Sequence, residues 1–307
     1  MKTLLEFKTL TEFTDFFSDE ATCVAHFIES RFRDGEYCPH CQHDKIYKCA
    51  NGKRYHCAKC KQDFTIRTKT VFGDSKLPLR KWYMAVYLLS TTSKGISSVQ
   101  LAKHLGVTQK TAWFMAHRIR AAKPQSNTPL SGRVEADETF IGGKDKNKHL
   151  AKRPRIGRGP VGKVAVAGIV ERGGKVVAKV IPDTSRAVLH GFIGENVQAG
   201  STVNTDEHVG YRGLKNFKHE VIRHSFREYV VGQSHTNTIE SFWALFKRGY
   251  MGVYHQMSKK HLQRYVNEFT FRFNRRASEM QSVFTNVVDS IVQTPNLPYK
   301  ELTKDIA

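Results

Sequence analysis

The chain has 307 residues, 40% apolar and 25% charged, with 49 Lys and Arg against 28 Asp and Glu for a net charge of +21. That is enough apolar material for one or two packed cores and excludes a disordered chain. An excess of positive charge this large opposes compaction unless a polyanion partners it, and nucleic acid is the leading candidate.

Other classes fall away early. No stretch approaches the roughly 18 apolar residues of a membrane span. Lys2, Glu6 and Lys8 interrupt the start, where a secretory signal needs an apolar run. All six cysteines fall between Cys23 and Cys60, a clustering that favours a metal in a reducing compartment over disulfides.

In chain order, residues 8–33 read as one or two short amphipathic helices. The cysteine module follows. Cys38-Pro-His-Cys41 and Cys57-Ala-Lys-Cys60 are two Cys-x-x-Cys pairs with 15 residues between them, the spacing of a tetrahedral zinc site with four thiolates. Cys23 and Cys49 have no partner at ligand spacing. Lys45, Lys48, Lys53, Arg54, Lys59, Lys61, Arg67 and Lys69 surround the pairs, with Tyr47, Tyr55 and Phe64 between them. This is the composition of a zinc ribbon that touches phosphate, or of a solvated basic face whose zinc only holds the fold.

Residues 79–92 form a helix, since Trp82, Val86 and Leu89 recur at helical steps. Ser97 or Ser98 starts a second helix, Leu105-Gly106-Val107 turns the chain, and Thr108 caps a third helix through Arg120. The rhythm is that of a helix-turn-helix, which places Gln109, Lys110 and Thr111 where base edges are read, with Arg118 adding charge. The segment 124–129 is polar and bounded by prolines, a linker.

Beyond it strands are expected at 133–141, 163–171, 175–182, 202–205 and 220–224, with a hairpin at Arg172-Gly173-Gly174. Helices are expected at 187–196, 238–248 and 258–276. Between the first two strands, residues 144–163 form a basic loop containing Lys152, Arg153, Arg155 and Arg158, expected to clamp DNA backbone. Lys259, Lys260, Arg264, Arg272, Arg275 and Arg276 are expected to make the outer face of the last helix basic.

Three acids stand out: Asp137 near the end of the first of these strands, Asp206 just past the fourth, and Glu240 on a later helix. In a ribonuclease-H-like fold those two strands are neighbours, and the helix brings the third carboxylate across. Three such carboxylates can hold two Mg²⁺ ions about 3.5–4 Å apart. At about 100° per residue, Lys247 shares the Glu240 face two turns on, placed for a phosphate. Bland roles compete. Of Glu135, Asp137 and Glu138, one is expected to be a solvated strand-end acid, with Glu135 and Asp137 on one face and Glu138 pointing away. Asn237 and Glu240 also have the spacing of a capping box.

On these residues the chain resembles an insertion-sequence transposase of the IS1595 family, ISXO2-like group. The matching stretches are the two cysteine pairs with Lys61-Gln-Asp-Phe64, Val134-Glu-Ala-Asp-Glu-Thr-Phe-Ile-Gly-Gly-Lys144, Asn204-Thr-Asp-Glu-His-Val-Gly-Tyr211, and His235-Thr-Asn-Thr-Ile-Glu-Ser-Phe-Trp243 with Lys247-Arg-Gly249. The resemblance implies a DDE-type transposase, with Asp137, Asp206 and Glu240 as magnesium ligands and Lys247 beside them. Asn237 is the alternative third ligand. It also implies metal-assisted DNA cleavage that exposes a 3′-hydroxyl, which then attacks target DNA.

The fold expected is multidomain α+β: N-terminal helices (1–34), a zinc ribbon (35–73), a helix-turn-helix (76–122), a linker (123–130), an α/β ribonuclease-H-like catalytic domain (131–285) and a tail (286–307). The expected partners are element ends and target DNA, bound by a dimer or higher oligomer on the bacterial nucleoid in the cytoplasm, without a membrane. A catalytically inactive DNA-binding regulator and a structure-specific nuclease on the same fold are the alternatives.

Overall fold

The computed structural model describes residues 7–50, 52–125, 128–143, 149, 162–222 and 235–304. The chain divides into two compact units, Met1–Pro124 with Ala277–Ala307, and Gln125–Arg276. No helix among the described residues is long and apolar enough to cross a membrane.

The first unit begins with α1 (Leu10–Phe16), closed by a capping box between Thr9 and Glu12, and α2 (Glu20–Arg31), capped by Asp19. A small antiparallel sheet of β1 (Ile46–Lys48), β2 (Tyr55–Cys57) and β3 (Asp63–Phe64) follows. Three helices come next: α3 (Leu79–Thr91), α4 (Ser98–Leu105) and α5 (Gln109–Ala122). Ser97 caps α4, Gly106 ends it at a φ of 59°, and Thr108 caps α5. The left-handed backbone at Gly106 costs an L-residue a Cβ clash, which is why a glycine makes this turn.

Sequence and structure part company at the carboxyl end. The expected domain limit at 285 falls inside a helix, α9 (Met280–Gln293), which belongs to the first unit. Its Val283, Phe284, Val287, Val288 and Ile291 are buried. Phe284 meets Phe13 and Tyr83 at ring-centroid distances of 5.2 and 5.4 Å. The chain therefore leaves the second unit and returns to complete the first core, ending in the short α10 (Tyr299–Thr303).

The second unit is a five-stranded sheet in the order β6-β5-β4-β7-β8, formed by β4 (Arg133–Ile141), β5 (Val164–Glu171), β6 (Val176–Ile181), β7 (Thr202–Thr205) and β8 (Lys218–Val221). The first three make an antiparallel meander in which Arg172-Gly173-Gly174 joins β5 to β6, the hairpin expected there; β7 then runs parallel to β4, and β8 parallel to β7.

Strand alternation splits the core in two. Val134 and Ala136 face α6 (Arg186–Asn196) with Leu189 and Ile193. Val166 and Val170 face α7 (Asn237–Gly249) and α8 (Leu262–Asn274) with Ile239, Trp243, Val266 and Phe269. Gly168 lets Trp243 lie on β5: a Cβ there would stand 2.5 Å from the indole Cζ2.

The expectation of a basic outer face on the last helix fails at Arg272. This side chain is buried and bonds Glu268 at 2.6 Å within α8, as a charge withdrawn from water requires a partner.

Candidate functional site

The two cysteine pairs form matching turns. Cys38 N–H donates to the His43 carbonyl at 2.8 Å and Cys57 N–H to the Gln62 carbonyl at 3.1 Å. The residue after each pair, Gln42 and Lys61, sits at positive φ, 62° and 58°. The four sulfurs lie within 4.8 Å of one another, with Cys38 and Cys60 3.7 Å apart and Cys41 and Cys57 3.6 Å apart. Sulfurs at the vertices of a tetrahedron about 2.3 Å from a zinc ion stand about 3.8 Å from each other, so these residues fit zinc. Cys23 lies buried in the helical core, where burial pushes its thiol up to about 12, an inert side chain.

In the three-helix segment, Gln109 and Lys110 are exposed at the start of α5. Gln109 donates to the Ser98 hydroxyl at 2.8 Å, Thr111 bonds Thr108 at 2.8 Å, and the Lys110 ammonium sits 4.9 Å from the Tyr299 ring centre. Arg118, expected on the DNA-facing surface, is a correction. It is 2% exposed, donates to the Gly73 carbonyl at 2.7 Å and to the Asn296 side chain, and lies against the Trp82 and Phe114 rings. Nine residues past Gln109 the helix has turned to its core face, and burial lowers this guanidinium to about 10. Lys152, Arg153, Arg155 and Arg158 lie outside the described residues.

The acids come from three elements of the second unit. β4 pairs in parallel with β7, Glu135 opposite Asn204, so the next residue on the same face of β4, Asp137, comes level with Asp206. Glu240 stands in the first turn of α7, and Lys247 is exposed two turns along.

Each carboxylate is held locally. Asp137 Oδ1 accepts the Glu138 amide at 2.8 Å, Asp206 Oδ1 accepts the His208 amide at 3.0 Å, and Glu240 Oε1 accepts the Thr236 hydroxyl at 2.9 Å. Burial pushes Asp137 up to about 7, reinforced by the charges of Glu138 and Asp206 and then Glu240, against the bond from the Glu138 amide. The charges of Asp206 and Glu240 thus both act on Asp137. The oxygens of the three acids are spread wider than the four sulfurs, which are the one group of metal-ligating atoms within 4.8 Å of each other among the described residues.

The capping competitor is resolved by the helix boundary. α7 starts at Asn237, with Thr236 at the cap position, so Glu240 lies one residue too far along for a capping box. The amides of Thr238 and Ile239 are instead accepted by Glu135 Oε2 at 2.8 and 3.1 Å. Glu135 is fully buried, and Glu138 is bonded to Tyr211 at 2.7 Å, so neither is the solvated strand-end acid expected on β4. Burial and the charge of Asp206 raise Glu138, opposed by Tyr211 and His208. Sequence reasoning missed both roles. The one available signal was alternation, which puts Glu135 on the Asp137 face.

With this geometry in view, comparison with known proteins gives three findings. Residues 129–274 match the family model for the ISXO2-like transposase domain, and residues 18–63 match the transposase zinc-ribbon domain of the same IS1595 group. An uncharacterized protein in transposable element ISH50 of Halobacterium salinarum is 30% identical over 275 residues, spanning 83% of this chain and 91% of that one. The crystal structure of a pre-cleavage Mos1 transpososome aligns at 12% identity and a TM-score of 0.27, over 66% of this chain and 75% of that one.

Proposed function

The chain belongs to the IS1595 family of ISXO2-like transposases, and from that membership we propose that it is the DNA transposase of an insertion sequence, which binds the element's ends and catalyses Mg²⁺-dependent strand cleavage and strand transfer. The observation that supports this reading is the parallel pairing of β4 with β7, which runs Asp137 and Asp206 out from neighbouring strands, with Glu240 in the first turn of α7 near enough for its charge to act on Asp137. A ribonuclease-H-like catalytic unit is supported by the sheet, an antiparallel meander with β7 added parallel beside β4.

Asp137, Asp206 and Glu240 are the magnesium ligands in this reading. Carboxylates are the hard oxygen donors magnesium prefers, and a divalent cation held by them would offset the neighbouring charges that add to burial in raising Asp137. Bound there, two ions supply activation of the attacking oxygen and stabilisation of the leaving oxygen. The chain's own part is orientation and charge. Thr236 restrains Glu240, the His208 amide restrains Asp206, and Lys247 on the Glu240 face takes a backbone phosphate. Gln109, Lys110 and Thr111 contact DNA at the start of α5, and the basic segment with Lys152, Arg153, Arg155 and Arg158 adds phosphate contacts. Zinc in the ribbon holds that module's fold. Synapsis of two ends calls for a dimer or a larger assembly.

The test uses DNA carrying the element's own ends with Mg²⁺. Asp137→Ala, Asp206→Ala and Glu240→Ala should each abolish cleavage while end binding survives, and Asn237→Ala should still cut. Wild-type cleavage by any of the three alanine variants removes that acid from the site.

A further inference from the structure

β4 carries three carboxylates within four residues, Glu135, Asp137 and Glu138, and only the middle one belongs to the proposed metal site. A carboxylate withdrawn from water costs several kcal/mol unless its oxygens are bonded. The partners of the outer two are therefore informative.

Glu135 reaches from the strand to the entry of α7. Besides the two amides, Oε1 accepts the Thr238 hydroxyl at 3.0 Å and Arg172 Nε at 3.0 Å. Arg172 also donates to the His235 carbonyl at 3.0 Å, and the His235 ring nitrogen lies 3.1 Å from Glu135. The helix's own cap residue, Thr236, makes no side-chain cap bond to these amides. The first turn of α7, which presents Glu240, is thus tied to the strand two residues before Asp137.

Glu138 does the matching work on the opposite face. Its Oε2 accepts the hydroxyl of Tyr211, which lies in a 3-10 turn, Val209–Tyr211, just after Asp206. His208, whose amide holds Asp206, has its ring 3.9 Å from the other Glu138 oxygen. The segment carrying Asp206 is tied to the strand one residue after Asp137.

We propose that Glu135 and Glu138 are positioning residues, each locking one acid-bearing segment onto β4 so that Glu240 and Asp206 are held in register with Asp137 for a shared divalent ion. The inference rests on the metal-site reading above. Loss of a partner that orients a ligand typically costs 10–100-fold in metal affinity.

The experiment titrates Mn²⁺ into the full-length, zinc-loaded chain by electron paramagnetic resonance, with thermal melting beside it. Tyr211→Phe, which removes one hydroxyl, and Glu135→Gln, which keeps one acceptor, should each weaken Mn²⁺ binding by about 10–100-fold in protein that still melts cooperatively. Glu138→Gln keeps an acceptor for Tyr211 and should bind within about threefold of wild type, the rescue a positioning role requires.

A merely structural role would lower the melting temperature and leave the affinity of the folded protein unchanged. Tyr211→Phe and Glu135→Gln binding Mn²⁺ like wild type, while Asp137→Ala abolishes it, overturns the positioning roles alone. Glu138→Gln losing the ion as completely as Asp137→Ala makes Glu138 a ligand and also overturns them. A wild-type chain that takes up no Mn²⁺, or an Asp137→Ala chain that binds normally, removes the acid site and this inference together.

Discussion

Replacing Asp137 by Asn separates the electrostatic cost of the acid cluster from its chemistry. The folded chain holds the Asp137 proton up to about pH 7, whereas the ordinary value is 3.8. Between those values the native state binds more protons than the unfolded state, so stability falls as pH rises and the full cost is present above pH 7. At about 1.36 kcal/mol per pH unit, the interval corresponds to roughly 4 kcal/mol. Asn has nearly the same shape, still accepts the Glu138 amide and carries no charge. Without divalent ions, Asp137→Asn should therefore match wild type near pH 4 and exceed it by a few kcal/mol at pH 8.

Amide exchange of Val166 and Val170 in β5, compared between the two proteins at each pH, reads the opening of this unit. At pH 8 the variant should be protected about 10- to 1000-fold more strongly, and Mg²⁺ should narrow the gap by stabilising wild type alone. Equal protection at pH 8 would refute the claim that burial, with the neighbouring carboxylates, holds Asp137 well above its ordinary value.

Four other outcomes follow from local contacts. Elemental analysis should find one zinc per chain, and Cys57→Ser or strong chelation should unfold the ribbon, seen as loss of amide protection in β2. Lys110→Ala should weaken DNA binding and reduce the salt slope by about 1 with an unchanged melting temperature, whereas Arg118→Ala should cost about 2–4 kcal/mol of stability because it empties a buried site bonded to Gly73 and Asn296. Gly168→Ala drives a methyl into the Trp243 ring and should cost about 1–3 kcal/mol by thermal melting, and an unaltered melt would show that the ring can move aside.

What the sequence made legible was local or ordered. Four cysteines in two close pairs need only short turns to converge, so spacing alone carried the zinc site. The order strand-acid, strand-acid, helix-acid carried the proposal of an acid site, and the parallel pairing of β4 with β7 is the part of it that strand order alone foretold.

What stayed hidden depended on which way a helix faces and on distant partners. Arg118 and Arg272 look like surface charge until the core side of α5 and α8 is known. α9 is rich in Val and Ile, which have modest helix propensity, and it holds as a helix by burying them against a unit that starts more than 250 residues earlier. The cap of α7 comes from Glu135, 103 positions before Thr238, and no local capping pattern can reveal it.

The same distinction explains why a chain of net charge +21 spends three buried or half-buried acids on one strand. The excess Lys and Arg give affinity for any DNA, which is unspecific and screened by salt. They cannot choose a bond to break. A local reversal of sign can, because phosphate is repelled from a carboxylate cluster unless divalent cations intervene. The reversal has to be narrow, or it would cancel the attraction that brings DNA in. On β4 it is kept narrow by giving Glu135 and Glu138 their own partners, an arginine and two helix amides for one, a tyrosine hydroxyl with a histidine nearby for the other. Two of the strand's carboxylates are thereby absorbed into holding the architecture, and Asp137 is left as the strand's one carboxylate for the proposed metal site.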